Sequence, residues 1–157
     1  MTWNPVKNAI NDIKLLYGII SDKNTDLGAK FRSRSRSMPS MFEDIGFIPV
    51  LSFCFGKIGL EKYKRIARVL SELEDFSDFN KAWSEIKDIK TEDASYGLYL
   101  YFSLKQLRDM GLVKSSIESP LKILEELMGK EAIAYRLLRP YLIQIKKLSE
   151  ALFAEEL

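Results

Sequence analysis

The chain contains no histidine and only one cysteine, Cys54. Histidine is the commonest general base near neutral pH and a frequent metal ligand, so its absence excludes Ser-His-Asp and Cys-His catalysis. One cysteine cannot form an internal disulfide or supply a cysteine zinc site. There is also no Walker-type Gly-Lys-Ser/Thr loop and no Gly-rich dinucleotide fingerprint. The sequence therefore predicts no catalytic residue, no metal site and no cofactor.

Adjacent carboxylates are the remaining groups with catalytic potential, since a metal-assisted nuclease uses such side chains. They occur as Glu74-Asp75, Glu92-Asp93, Glu125-Glu126 and Glu155-Glu156. Each pair falls where the surface or the end of a helix is expected. A metal-dependent nuclease is accordingly the third of three functional hypotheses.

Long apolar runs are also absent, because the longest nearly apolar stretch is shorter than the roughly 20 residues that span a bilayer. The N-terminal residues 1–5 lack the charged-then-apolar order of a signal peptide. Cys54 lies within the apolar run from Phe47 to Phe55 and is expected to be a small buried hydrophobe. We predict a cytoplasmic location and no membrane partner.

Length and periodicity predict one all-α domain over residues 1–157, a compact bundle of about six to eight helices. The 157 residues are 46% hydrophobic and 29% charged, which suits a single globular core. Helices are expected from Pro5 through Val6, Ile10, Ile13, Tyr17 and Ile20, from near Pro39 to Gly46, over Phe47–Lys57, over Leu60–Phe76, from a Ser77 cap through Phe79, Trp83 and Ile86, over Tyr96–Met110, over Pro120–Leu127, and from Lys130 onward. A short strand is an alternative for Phe47–Lys57. Pro140 is expected to kink or divide the last helix, whose apolar stripe would be Leu137, Tyr141, Ile145, Leu148 and Leu152.

The most distinctive segment reads Lys-Phe-Arg-Ser-Arg-Ser-Arg-Ser from Lys30 to Ser37, and no acidic residue lies between Asp26 and Glu43. Arginine matches phosphate oxygens with a planar fork of donors, so a polyanion is the natural ligand. On a helix a step of two residues is a rotation of roughly 200°, so Arg32 and Arg36 would share a face that Arg34 leaves. In an extended segment the three arginines would line one side, roughly 6.6 Å apart. A solvated linker explains the composition equally well.

Two further segments are basic, although the formal net charge of the chain is only +2. Residues 57–68 contain five cations and one acid, whereas residues 71–93 contain eight acids and three lysines, which predicts a basic side and an acidic side. Arg65 and Arg68 can pair with Glu61 and Glu72 along their own helix, which leaves Lys57, Lys62 and Lys64 free. On the last helix, Arg136, Arg139, Lys146 and Lys147 lie on one side, with no acid between Glu131 and Glu150. Tyr96, Tyr99, Tyr101 and Trp83 could stack on bases, but helical spacing more often indicates core packing.

The order of these residues resembles a known family. Residues 36–57 are similar to the motif of the small helical subunit of the type III-B CRISPR RNA-guided effector, the Cmr complex. The similarity lies in the run Arg36-Ser37-Met38-Pro39-Ser40-Met41-Phe42, then in Gly46-Phe47 and in Leu51-Ser52-Phe53 through to Lys57. Tyr135-Arg136, Tyr141-Leu142 and the run from Ile145 to Ala151 resemble the closing helix of that family. Met38 stands where the family more often has leucine, and Ser52 where alanine is usual. The motif does not carry Arg32 or Arg34, which rest on the electrostatic argument alone.

The resemblance implies a non-catalytic subunit that works in antiviral defence. Several copies would stack in a short filament beside the repeated backbone subunits, with the large subunit as a further partner, and would line the channel for guide and target RNA. The acidic segment 71–93 could face the basic side of a neighbouring copy. The candidate RNA-binding residues are Lys30, Arg32, Arg34, Arg36, Lys57, Lys64, Arg136, Arg139, Lys146 and Lys147, which would bind phosphates without reading sequence. The second hypothesis is a helical DNA-binding transcriptional regulator or adaptor.

Overall fold

The computed structural model describes residues 2–20, 24–73 and 78–156, and these residues form helices without a strand. Eight helices follow one another along the described chain: α1 (Pro5–Ile20), α2 (Thr25–Ile45), α3 (Phe47–Ile58), α4 (Leu60–Glu72), α5 (Phe79–Ile86), α6 (Thr91–Asp109), α7 (Pro120–Leu127) and α8 (Glu131–Leu152). The predicted all-α fold is confirmed, and the strand alternative for Phe47–Lys57 is wrong. None of the described helices is long and apolar enough to cross a membrane.

The largest difference from the sequence prediction is α2, which begins at Thr25 and runs through Pro39 without a break. The Asn24 side chain caps its first turn by accepting a hydrogen bond from the backbone N–H of Leu27 at 2.9 Å. Proline and alternating serines disfavour a helix locally, but packing of an apolar face outweighs propensity. That face is Leu27, Phe31, Met38 and Phe42, all buried. The predicted helix start near Pro39 and the extended or linker-like basic run are therefore wrong.

The other prolines do not interrupt helices. Pro49 lies in the first turn of α3, which begins after the N-cap residue Gly46, whose φ of 119° suits glycine. Pro140 lies inside α8, which continues on both sides of it, so the predicted division is not found. The helix expected over Tyr96–Met110 is confirmed as α6, while the predicted cap Ser77 lies outside the described residues.

Two predicted apolar stripes were rotated from the faces that are buried. On α1 the core side holds Ile13, Leu16 and Ile20 together with Asp12, whereas Val6, Ile10 and Tyr17 are 40–48% exposed. On α8 Leu137 and Leu152 are each more than two-fifths exposed. The buried α8 residues are Ala134, Leu138, Tyr141, Leu142, Ile145 and Ser149. Both shifts arise because α1 and α8 pack on each other, while α1 also packs on α5 and α8 also packs on α2 and α6, and small or polar residues fill the close contacts.

The position of α2 determines where its basic side chains lie. One side of α2 packs on α6 and another side packs on α8. Arg32 on α2 reaches Glu150 on α8, and Glu43 reaches Arg139, so the two helices run antiparallel. The Arg/Ser run thus lies on a rigid helix between two others.

Candidate nucleic-acid interface

Arg32 holds the end of α8. Its Nη1 donates hydrogen bonds to the carbonyl oxygens of Glu150 at 3.2 Å and Phe153 at 2.9 Å, and its Nη2 lies 3.2 Å from the Glu155 carboxylate. Carbonyls in the last turn of a helix have no partner within the helix, so this guanidinium satisfies two of them. The side chain is only 16% exposed. Arg32 therefore has a structural role that the sequence did not reveal.

Arg34 points to a different side of α2, as helical geometry requires. Its Nε donates to Ser95 Oγ at 3.2 Å, and the guanidinium carbon lies 4.1 Å from the centre of the Tyr96 ring. Glu92 lies 3.8 Å away and gives a longer ion pair. Stacking on an aromatic ring and pairing with a carboxylate occupy most of this guanidinium. The three arginines thus do not line one side, as the extended alternative required.

Lys30 is neutralised by an acidic segment that follows α8. Its Nζ lies 2.9 Å from Glu156 Oε1, and Ser33 Oγ donates to the other carboxylate oxygen at 2.8 Å. The hydrogen bond with Glu156 raises the pKa of Lys30, and the same bond is the largest cause of the lowered pKa of Glu156. Glu155 and Glu156 therefore cover the first turn of the Arg/Ser run.

Arg36 is the member of the run that remains available. It is exposed, and within the described part of the chain it makes no hydrogen bond or ion pair. It lies one turn after Arg32, and Lys146 lies one turn before Glu150. Because α2 and α8 are antiparallel, Arg36 and Lys146 occupy the same level of the surface.

The predicted cations of α8 continue this surface. Arg136 and Lys147 are exposed and Lys146 is half-buried; across the described ranges, no ion pair involves any of the three. Arg139 lies 3.7 Å from Glu43, but both side chains are more than half exposed, so the pair is weak. We call Arg36, Arg136, Arg139, Lys146 and Lys147 the α2–α8 basic face.

The remaining predicted cations lie elsewhere. Lys57 is exposed on α3, and its Nζ is 5.5 Å from the centre of the Phe53 ring. Lys64 is half-buried on α4. The expected pairing within α4 is wrong, because Arg65 Nη1 donates to both carboxylate oxygens of Asp88, at 2.8 and 2.9 Å, and Arg68 lies 3.4 Å from Glu118. Both arginines therefore form ion pairs with residues outside α4 instead of the expected i,i+4 pairs within it.

The candidate stacking residues are not accessible as a group. Tyr96, Tyr99 and Tyr101 are at most 8% exposed, which confirms the expectation of core packing for the tyrosines. Phe53 is instead 42% exposed, and sequence reasoning missed it. Its signal was an aromatic residue beside Ser52 and Gly56, two small residues at neighbouring helical positions.

Groups with catalytic potential are dispersed in the described residues. They include no group of three or more histidine, cysteine, aspartate or glutamate side chains that could hold a metal ion. Cys54 is fully buried as expected, and burial raises the pKa of its thiol to about 12. Glu126 accepts hydrogen bonds from the backbone N–H groups of Lys114 and Ser115, so this carboxylate closes a loop.

Known proteins resemble the chain over nearly its whole length. No protein-family model matches it. The curated protein CRISPR system CMR subunit Cmr5 of Saccharolobus solfataricus is 29% identical over 153 residues, which cover 93% of this chain and 91% of the relative. A chain in the cryo-EM structure of the type III-B Cmr-β complex bound to cognate target RNA and AMPPnP has the same fold, with a TM-score of 0.73 and 23% identity over 97% of both chains.

A chain in the cryo-EM structure of the type III-B Cmr-β complex bound to non-cognate target RNA is equally similar. Its TM-score is 0.73 and its identity 22%, and the match covers 99% of this chain and 100% of that one. The resemblance to the small helical subunit of the type III-B Cmr complex, predicted from the motifs, is therefore confirmed.

Proposed function

We propose that the chain is a non-catalytic small subunit of a type III-B CRISPR RNA-guided effector and that its α2–α8 basic face binds the backbone of guide or target RNA. The observation that carries the RNA contact is this face itself. Four of its five cations have no ion-pair partner among the described residues, and the fifth has a weak one. The face is built from two antiparallel helices and so presents its charges at fixed positions.

The arrangement suits phosphate contacts that do not depend on sequence. The guanidinium groups of Arg36, Arg136 and Arg139 can each bind two phosphate oxygens, and the ammonium groups of Lys146 and Lys147 act as point charges. Contacts of this kind position a protein on a strand without reading its bases. Lys30, Arg32 and Arg34 have internal partners, so their predicted RNA contacts are secondary to those of the basic face.

The proposed partners are guide and target RNA, the repeated backbone subunit, the large subunit and further copies of this chain. A filament requires a heterologous contact between two different surfaces of successive copies. The acidic surface that includes Glu72, Asp78 and Glu85 offers a complement to part of the basic face, since these residues are exposed. Glu72 lies on α4, Asp78 directly precedes α5 and Glu85 lies on α5. Because α5 packs against α1 and α4, this acidic surface is separate from the basic face on α2 and α8.

Charge reversal tests this stacking. We expect Glu72→Lys with Glu85→Lys to weaken association between copies by roughly tenfold, because like charges would face each other. Sedimentation velocity of the chain without RNA measures the effect, since Lys146 and Lys147 also belong to the surface proposed to bind RNA. Glu61→Lys with Glu125→Lys changes the net charge equally and should leave association unchanged. Mixing the first variant with Lys146→Glu/Lys147→Glu should restore mixed stacks; the absence of this rescue contradicts the assigned surfaces.

Binding of single-stranded RNA tests the function against the DNA-binding alternative. We expect fluorescence anisotropy to show tighter binding to a single-stranded RNA of about 12 nucleotides than to duplex DNA, with a slope of log K against log salt of about −3.5 for five phosphate contacts. Equal or better affinity for a defined duplex would favour the transcriptional regulator instead. Purification from the native host should recover the chain with repeated subunits and a guide RNA; recovery without them would overturn the assignment.

A further inference from the structure

The exposed side of α3 carries an aromatic ring that the fold does not bury. Phe53 is 42% exposed although α3 is otherwise strongly apolar and contributes Val50, Leu51 and Cys54 to the core. Its helical neighbours Ser52 and Gly56 are small and exposed. The ring therefore stands above its surroundings, and one part of it is open to solvent.

Gly56 has no structural explanation at this position. It lies inside α3, where glycine disfavours the helix relative to alanine. Its φ is not in the positive region, and a Cβ built on it would meet no atom within 4 Å. By contrast, a Cβ on Gly97 would come within 2.7 Å of Ile58, so close packing accounts for that glycine. Close approach of a ligand to the backbone is one reason for glycine at a position that neither packing nor backbone geometry explains.

The Phe53 ring contacts one aromatic ring and lies beside one cation, Lys57, which has no ion-pair partner in the described part of the chain. Tyr96 meets Phe53 edge to face, with ring centres 5.4 Å apart and an interplanar angle of 88°. Lys57 Nζ lies 5.5 Å from the centre of the Phe53 ring and 5.8 Å from the centre of the Tyr96 ring. The Arg34 guanidinium carbon lies 4.1 Å from the centre of the Tyr96 ring. Residues 47–58 include no acidic side chain.

We propose that Phe53, Gly56 and Lys57 form a binding site for one unpaired nucleotide of an RNA strand. The base stacks on the exposed part of the Phe53 ring, the absence of a side chain at Gly56 leaves room for it, and Lys57 binds the adjoining phosphate. Base stacking on an aromatic side chain accepts any base, so the site adds affinity without sequence preference. Because the partner is RNA, this inference rests on the proposed function, and it adds a second point of contact on α3.

Abasic oligomers separate stacking from phosphate binding. The experiment compares an oligouridylate of about 12 nucleotides with an abasic ribose-phosphate oligomer of equal length. The two oligomers carry similar charge, so the difference in affinity reports on the bases alone. We expect the wild-type chain to prefer oligouridylate by roughly 5- to 100-fold and Phe53→Ala to reduce that preference while its affinity for the abasic oligomer is retained. Phe53→Tyr should keep the preference. Leu121→Ala, at another exposed apolar residue on α7, is the matched control.

Gly56→Ala distinguishes a ligand site from a packing role. Alanine should raise the melting temperature by about 2 °C because it favours the helix, yet it should lower affinity for oligouridylate by several-fold. A variant that is more stable but binds more weakly cannot be explained by damage to the fold. Equal affinity of the wild-type chain for both oligomers would overturn the stacking site and leave the proposed function intact; no binding to either would contradict the proposed function itself. Loss of backbone-subunit binding with unchanged RNA affinity in Phe53→Ala would assign the ring to a protein contact and overturn the site.

Discussion

Replacing Asp12 by alanine is expected to lower the free energy of unfolding by about 3–5 kcal/mol, because it leaves two buried hydrogen-bond donors without an acceptor and the half-buried Lys105 without its counter-charge. The Asp12 side chain is only 4% exposed and accepts three hydrogen bonds: from Lys105 Nζ at 3.0 Å, Gln106 Nε2 at 2.8 Å and the Tyr141 hydroxyl at 2.6 Å. Its removal leaves these three donors without an acceptor, and two of them are buried. At about 2–4 °C per kcal/mol, thermal denaturation should show a melting temperature lower by about 10 °C.

Asp12 has this effect because it joins three helices. The residue lies on α1, Lys105 and Gln106 lie on α6, and Tyr141 lies on α8. The Gln106 side-chain oxygen also accepts hydrogen bonds from Trp3 at 2.8 Å and Asn8 at 3.0 Å, so the network continues along α1. Burial is the main reason that the pKa of the Tyr141 hydroxyl lies well above its usual value, and the Asp12 carboxylate raises it further. Tyr141 therefore stays protonated and continues to donate its hydrogen bond.

A double-mutant cycle with Lys105→Met separates the charge pair from the rest of the network. The double variant should be less destabilised than the sum of the single variants, because Asp12→Ala leaves no buried carboxylate for Lys105 to neutralise. Asp44→Ala removes an exposed carboxylate and should change stability by less than about 0.5 kcal/mol. A free energy of unfolding for Asp12→Ala within about 1 kcal/mol of the wild-type value, roughly a third of the smallest expected change, would show that the network does not contribute to stability as described.

Helical periodicity was sufficient to identify most of the fold, and its failures have physical reasons. In α2 the buried residues Leu27, Phe31, Met38 and Phe42 are spaced by 4, 7 and 4, which is a helical pattern. The serines and Pro39 between them favour a non-helical prediction, which outweighed this pattern. Local propensity was given too much weight there, whereas burial along one face determines the helix. On α1 the apolar stripe through Val6, Ile10 and Tyr17 did not show which side packs, because the side that packs includes Asp12.

The candidate site divides in the same way between local and non-local information. The common face of the α8 cations follows from spacing along one helix, and the structure shows that helix intact through Pro140. The hydrogen-bond partners of Arg32 and Arg34 lie 61 to 123 positions away along the chain, so no local pattern could show that these arginines are engaged. Phe53 escaped notice because its exposure depends on which side of α3 packs on α6.

Neutralising the free cations of the α2–α8 basic face should give the largest functional effect. We expect the combined change of Arg36, Arg136, Lys146 and Lys147 to glutamine to weaken single-stranded RNA binding by roughly 10²–10³-fold near 0.1 M salt, since each phosphate contact contributes a slope of about 0.7. The slope of log K against log salt should fall in magnitude by about 3. Anisotropy titrations at several salt concentrations measure both quantities.

The structure provides the control that makes this result interpretable. Lys7, Lys81, Lys87 and Lys122 are exposed on or beside α1, α5 and α7, so changing these four to glutamine alters the net charge equally without touching α2 or α8. That variant should keep most of the affinity, because screening limits the effect of charges farther from the strand than about 8–10 Å. None of the four replaced cations of the basic face has an ion-pair partner in the described ranges, so the melting temperature should not change. Equal losses in the two variants would show that total charge, rather than the basic face, determines RNA binding.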